Sequence, residues 1–145
     1  MNTKLQPEYA ATILRITLGV MYLAHGLTKL LVFTPQGTAQ FFASLGVPGF
    51  LGPIVMTAEL LAALGLILGV KARWAALLLI PTLMGTIILV HGHNGFSFAN
   101  QGGGWEYPMF LITVSLASFF AGNGALALEN VLFRSKAYSQ TKANA

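Results

Sequence analysis

The chain has no cysteine, and only 8% of its 145 residues are charged. Without thiols there is no disulfide framework, no thiolate-bound zinc and no iron–sulfur ligation. The shortage of charge excludes more. Soluble domains average about 25% charged residues, and a chain that is 55% hydrophobic has too few charges to cover its apolar surface in water. Composition therefore predicts an integral membrane protein, a single domain over residues 1–145 in contact with a lipid bilayer. The four acids are all glutamate, set against eight Lys and Arg. The basic residues are scattered at helix ends and form no patch, so no nucleic-acid partner is implied. No strained Gly-x-Ser-x-Gly turn supports hydrolysis, and no flavin motif or strand-borne dinucleotide fingerprint is present.

What is there is apolar and long. Four stretches, roughly residues 10–32, 51–70, 74–92 and 105–122, approach the ~20 residues that a bilayer demands of a helix. They predict an all-α, four-helix membrane bundle. The first stretch does not read as a cleaved signal peptide, because it carries Arg15, His25 and Lys29 inside the apolar run. Between spans one and two, "TPQGTAQFFASLGVPG" predicts turns around a short amphipathic piece. "KARW" allows only a tight hairpin, and "HNGFSFANQGGG" is an uncharged, glycine-rich loop. Lys4, Lys71, Arg73, Arg134, Lys136 and Lys142 fall on one side of this arrangement, while loops 34–50 and 93–104 carry no Lys or Arg. That asymmetry predicts that both termini and the KARW hairpin face the cytoplasm. The segment "ALALENVLFRSK" reads as a short amphipathic C-terminal helix on the inner leaflet.

Ionisable groups inside a bilayer cost a few kcal/mol each and are functional candidates by default. In the first span, Arg15, Tyr22, His25 and Lys29 fall within about 80° on a helical wheel, together with Gly19 and Gly26. Such a stripe faces the bundle interior. Glu59 lies midway along the second span, His91 ends the third and Glu106 opens the fourth. Rise per residue puts His25, Lys29, His91 and Glu106 in the outer third of the membrane, with Glu59 deeper and Arg15 on its cytoplasmic side. The expectation is a ligand site of Tyr22, His25, Lys29, Glu59, His91 and Glu106, with Arg15 and Glu59 as a charge-coupled pair. Plainer readings stand beside it: a structural Arg15–Glu59 pair, Lys29 snorkelling to the interface, and Glu106 as a helix start beside Trp105 and Tyr107. His93 lies past Gly92, next to Asn94-Gly95, and reads as a loop residue.

The same residues carry a family resemblance. "RITLGVMYLAHGLTKL", "FFASLGVPGFLGPIVMTAELLAALGLILGVKAR" and "GGGWEYPMFLITVSLASFFAGNGALALE" resemble successive motifs of the DoxX family of small bacterial membrane proteins. Arg15, Gly26 and Lys29 match its first-span signature, Gly46 and Pro48 its turn, and Glu59 its second-span acid. Glu106 and Pro108 match the opening of its last span. The chain departs from the family near its end, with Gly122-Asn123-Gly124 and Glu129 where Gly-Pro-Gly and Ser-x-Asp are common. The resemblance implies a four-helix bundle associated with respiratory or detoxifying redox chemistry, in some members beside quinone-handling enzymes.

Three functions fit these residues. The first is a redox component that binds a quinone, with a protein partner supplying electrons. The second is a non-catalytic scaffold or small-molecule carrier, working with a partner protein or as a homo-oligomer. The third is a haem or copper site on His25 and His91, since imidazole suits both metals. The first ranks highest.

Overall fold

A computed structural model describes residues 5–132. Lys4, Arg134, Lys136 and Lys142, and the last four residues of the amphipathic C-terminal segment, lie outside the described residues. Among those described, every regular element is a helix. The first helix, α1, runs Leu5–Leu27 and continues through a wide π turn at Thr28–Val32. A short helix α2 (Thr34–Ser44) follows, then α3 (Leu51–Leu68). Next come α4 (Ala72–Leu78) and α5 (Ile80–Thr86), a second π turn at Ile87–His91, and α6 (Glu106–Ala121).

Three of these stretches are long and apolar enough to cross a membrane: Gln6–Val32, Leu51–Leu68 and Ala72–Asn94. Two details depart from the expected spans. The third is interrupted at Leu79, between α4 and α5, where Pro81 at the start of α5 lacks an N–H to donate to the turn before it. The fourth, α6, is shorter than the ~20 residues expected, with 16 residues or about 24 Å of helix. It still packs against α1, α4 and α5 to complete the four-helix bundle. Aliphatic and aromatic side chains such as Leu31, Ile88 and Phe120 point outward, each more than two-thirds exposed. That is the arrangement a lipid environment requires.

The bundle is held most closely where α1 crosses α3. A Cβ on Gly19 would stand 2.8 Å from Ile67 and 3.1 Å from the Ala63 carbonyl, and one on Gly26 would stand 2.7 Å from Leu60. The glycine stripe read from the sequence is thus the seam along which the two backbones approach. Gly19→Ala is expected to destabilise the bundle by about 1–3 kcal/mol through overpacking. Gly85→Ala, where an added Cβ meets nothing within 4 Å, should be neutral or stabilising. Thermal unfolding of both variants in detergent checks this; equal melting would show that the seam has room.

The two ends of the bundle differ. At the hairpin end, α3 stops at Gly69, whose positive φ of 70° closes the helix with a Val70 N–H bond to the Gly65 carbonyl. Arg15 is fully buried there. It donates to the carbonyls of Leu66 (2.6 Å), Ile67 (2.7 Å) and Asn123 (2.7 Å). Two of these acceptors are in the last turn of α3, where carbonyls have no partner within the helix and the dipole is negative. Glu129 accepts from the Lys71 backbone N–H and the Asn123 amide. These bonds, the Lys71 one first, hold its carboxyl below the usual glutamate range. Arg73 donates to the Phe119 carbonyl and lies over the Phe119 ring at 5.0 Å.

At the other end, the uncharged loop supplies backbone groups rather than side chains. Its Gly95 and Phe96 carbonyls accept from the N–H groups of Trp105 and Glu106, capping the start of α6. Gly104 sits so tightly against the carbonyls of Gly95, Phe96 and Ser97 that any side chain would collide with them.

Candidate ligand-binding site

The loop-capped end holds a cavity of about 570 Å³ enclosed by α1, α2, α3, α5 and the start of α6. Tyr22, His25, Lys29, Glu59 and His91 all line it. Five of the six ligand residues expected from the sequence therefore come together, from three separate spans. The sixth does not. Glu106 turns to the loop, where its carboxylate accepts the Phe98 N–H at 3.0 Å, and it borders a separate aromatic groove with Phe96, Phe98 and Phe110. It behaves as a helix start, the plainer of the two readings. His93 is exposed and absent from the cavity wall, as its loop position suggests.

The charge pair is not the one expected. Lys29 Nζ lies 2.7 Å and 2.5 Å from the two carboxylate oxygens of Glu59, and Arg15 makes its bonds to carbonyls at the opposite end of the bundle. The reason is register. Because α1 and α3 run antiparallel with Gly19 against 63–67 and Gly26 against Leu60, Glu59 stands beside the last turns of α1. Arg15, fourteen residues before Lys29 and so about 21 Å away along the helix, stands beside the C-terminus of α3. Arg15 and Lys29 share one face, and face alone does not choose between them.

Both π turns sit at this end, and each carries a site residue: Lys29 in the first and His91 in the last position of the second. A π turn takes in one residue more than an α turn and re-aims the side chains around it; such turns are frequent at functional sites. The first closes with the Phe33 N–H bond to the Thr28 carbonyl. It delivers the chain to Thr34, a β-branched residue held at φ 62°, a backbone strain that a bulky residue rarely accepts. From there α2 folds over the cavity and contributes Phe41 and Phe42, with Phe33 preceding it. These aromatics were not recognised as site residues from sequence. The only signal was "QFF" inside a predicted amphipathic piece.

The histidines are oriented by backbone. His25 Nδ1 meets the Met21 carbonyl at 2.9 Å, and its ring stacks on Tyr107 with centroids 6.5 Å apart. His91 Nδ1 meets the Gly103 carbonyl at 2.9 Å and that of Gly102 at 3.2 Å. Asn94 holds the same two carbonyls through its side-chain amide. The Tyr22 hydroxyl is fully buried and interacts with the hydroxyl of Ser115, which is buried beside it. Among the described residues no three His, Cys, Asp or Glu side chains are grouped to hold a metal ion. A haem or copper site would therefore rest on the two imidazoles alone.

A helical membrane bundle with a polar cavity at one end, sealed by an ion pair below and a short amphipathic helix above, is the class of protein defined so far. The chain belongs to the DoxX family, whose profile matches residues 10–92. That match covers α1 to the second π turn and stops before α6. CatD of Bacillus subtilis, provisionally named an oxidoreductase, is 30% identical over 129 residues, covering 89% of this chain and 91% of its own. The inner membrane protein YphA of Escherichia coli is 31% identical over 124 residues, covering 81% and 86% of the two chains. A Haemophilus influenzae relative of no stated function is 30% identical over 92% of this chain and 98% of its own. No solved structure matches.

Proposed function

We propose that this DoxX protein is an inner-membrane redox component whose cavity binds a quinone-type ring. The observation that supports it most is the combination of an apolar slot with convergent polar groups. Phe33, Phe41, Phe42 and Leu111 offer flat contact to a ring, while Lys29, Tyr22, His25 and His91 line the same 570 Å³ space. Small-molecule sites are usually of about this size, about 300–1,000 Å³, and are built of apolar walls with a few fixed polar groups. Electrons would come from a partner protein. The name of the Bacillus subtilis relative favours redox chemistry, and that of the Escherichia coli relative favours the inner membrane.

The test is direct titration of a short-chain benzoquinone into the solubilised full-length protein, followed by tryptophan fluorescence. Saturable binding is expected, weakened about tenfold by Lys29→Met, the loss of roughly one hydrogen bond. His93→Gln should leave it unchanged. No saturable binding to wild type would overturn the proposal.

Orientation belongs to the same reading. Lys71 and Arg73 favour a cytoplasmic hairpin end, and with it a cavity at the outer face. A reporter fused after Ala145 is expected to be active only in the cytoplasm; activity only outside the cell would invert the assignment.

A further inference from the structure

The backbone contacts of the histidines say which form of the ring the cavity is built for. A carbonyl oxygen only accepts, so the nitrogen facing it must carry the proton. His25 Nδ1 faces the Met21 carbonyl and His91 Nδ1 faces those of Gly102 and Gly103. In the neutral ring this leaves Nε2 of each histidine as a lone-pair acceptor. Both rings line the cavity, and Nε2 is the ring nitrogen not engaged by backbone. The donor on the cavity wall is Lys29, which has three N–H groups and meets only the two oxygens of Glu59.

We propose that the site is selective for the reduced, hydroxyl-bearing form of its ligand, a 1,4-hydroquinone, over the corresponding quinone. This rests on the cavity being a quinone-type site, as proposed above. A quinone carbonyl accepts from Lys29 but offers nothing to His25 or His91, and each Nε2 it covers is left desolvated and unpaired. A hydroquinone hydroxyl does both, accepting from Lys29 through its oxygen and donating through its O–H to an imidazole. Leaving a buried acceptor unmade costs more than an average hydrogen bond gives. The two histidines are thus the discriminating groups, and Lys29 binds both forms.

The experiment is anaerobic titration of the solubilised full-length protein with three probes of one shape. These are 2,3-dimethoxy-5-methyl-1,4-benzoquinone, its hydroquinone, and the bis-methyl ether of that hydroquinone, which has no O–H. The hydroquinone is expected to bind about tenfold more tightly than the quinone, and the ether no better than the quinone. His25→Leu and His91→Leu should each reduce the preference, and His93→Gln should keep it. Equal or tighter binding of the quinone overturns the selectivity while leaving the quinone-type site intact. An ether that matches the hydroquinone also overturns it, and this reading needs no variant to fold. If none of the three binds, the quinone-type site itself is wrong.

Discussion

Arg15→Met is expected to be the most damaging conservative change in the molecule, costing about 3–5 kcal/mol, the range for breaking a buried charged interaction. The guanidinium is entirely buried and serves three carbonyls from two distant parts of the chain. Methionine fills similar volume but donates nothing. It would strand two carbonyls of the last α3 turn and the Asn123 carbonyl that anchors the segment after α6. Arg15→Lys should recover only part of the loss, since one compact ammonium does not reproduce a planar fork that reaches both segments. Thermal unfolding in detergent reads the result. A shift of roughly 10 °C is expected for Arg15→Met, and melting within about 2 °C of wild type would show that the carbonyls find other donors.

The second large effect concerns Lys29 and Glu59. The Glu59 side chain is 4% exposed, so removing its partner leaves a carboxylate in apolar surroundings, and removing Glu59 leaves an ammonium there. Each of Lys29→Met and Glu59→Gln is expected to cost about 3–5 kcal/mol, while the double change Lys29→Met with Glu59→Leu should recover most of it. The pairing is tested by a second double variant. Arg15→Met with Glu59→Leu should be worse than either single change, because the two residues belong to different networks some 20 Å apart along α1. Mutual rescue between Arg15 and Glu59 would restore the pairing that depth alone suggests.

That pairing shows where sequence reasoning stops. The helical wheel correctly put Arg15, Tyr22, His25 and Lys29 on one inward stripe, because a 100° step needs only residue numbers. Which polar residues line the cavity was legible for Tyr22, His25, Lys29, Glu59 and His91 because groups at one depth have few places to go, but not for Glu106, which turns to the loop. Choosing between two cations on one stripe needs the register of α1 on α3. The register was written in Gly19 and Gly26, but reading it requires knowing that they meet 63–67 and Leu60. The π turns were not legible at all. Nothing in "TKLLV" or "IILVH" distinguishes a five-residue turn from an α turn, since the extra residue is tolerated only because tertiary contacts around Lys29 and His91 reward it. Phe41 and Phe42 were missed because the segment that carries them read only as turns around a short amphipathic piece, with no ionisable group to mark it.

The Arg15 contacts also bear on how the protein is made. The first span enters the bilayer while the rest of the chain is still unsynthesised, and an arginine well inside a membrane helix carries a penalty of about 2.5–3.5 kcal/mol on insertion scales. Its acceptors lie at Leu66, Ile67 and Asn123, so two arrive only with the next membrane crossing and the third only after the last. Until then α1 is a marginal insert that depends on its own apolar length. One residue thus ties the first helix to both later parts of the chain, and a chain truncated before Asn123 lacks one of the three acceptors of Arg15.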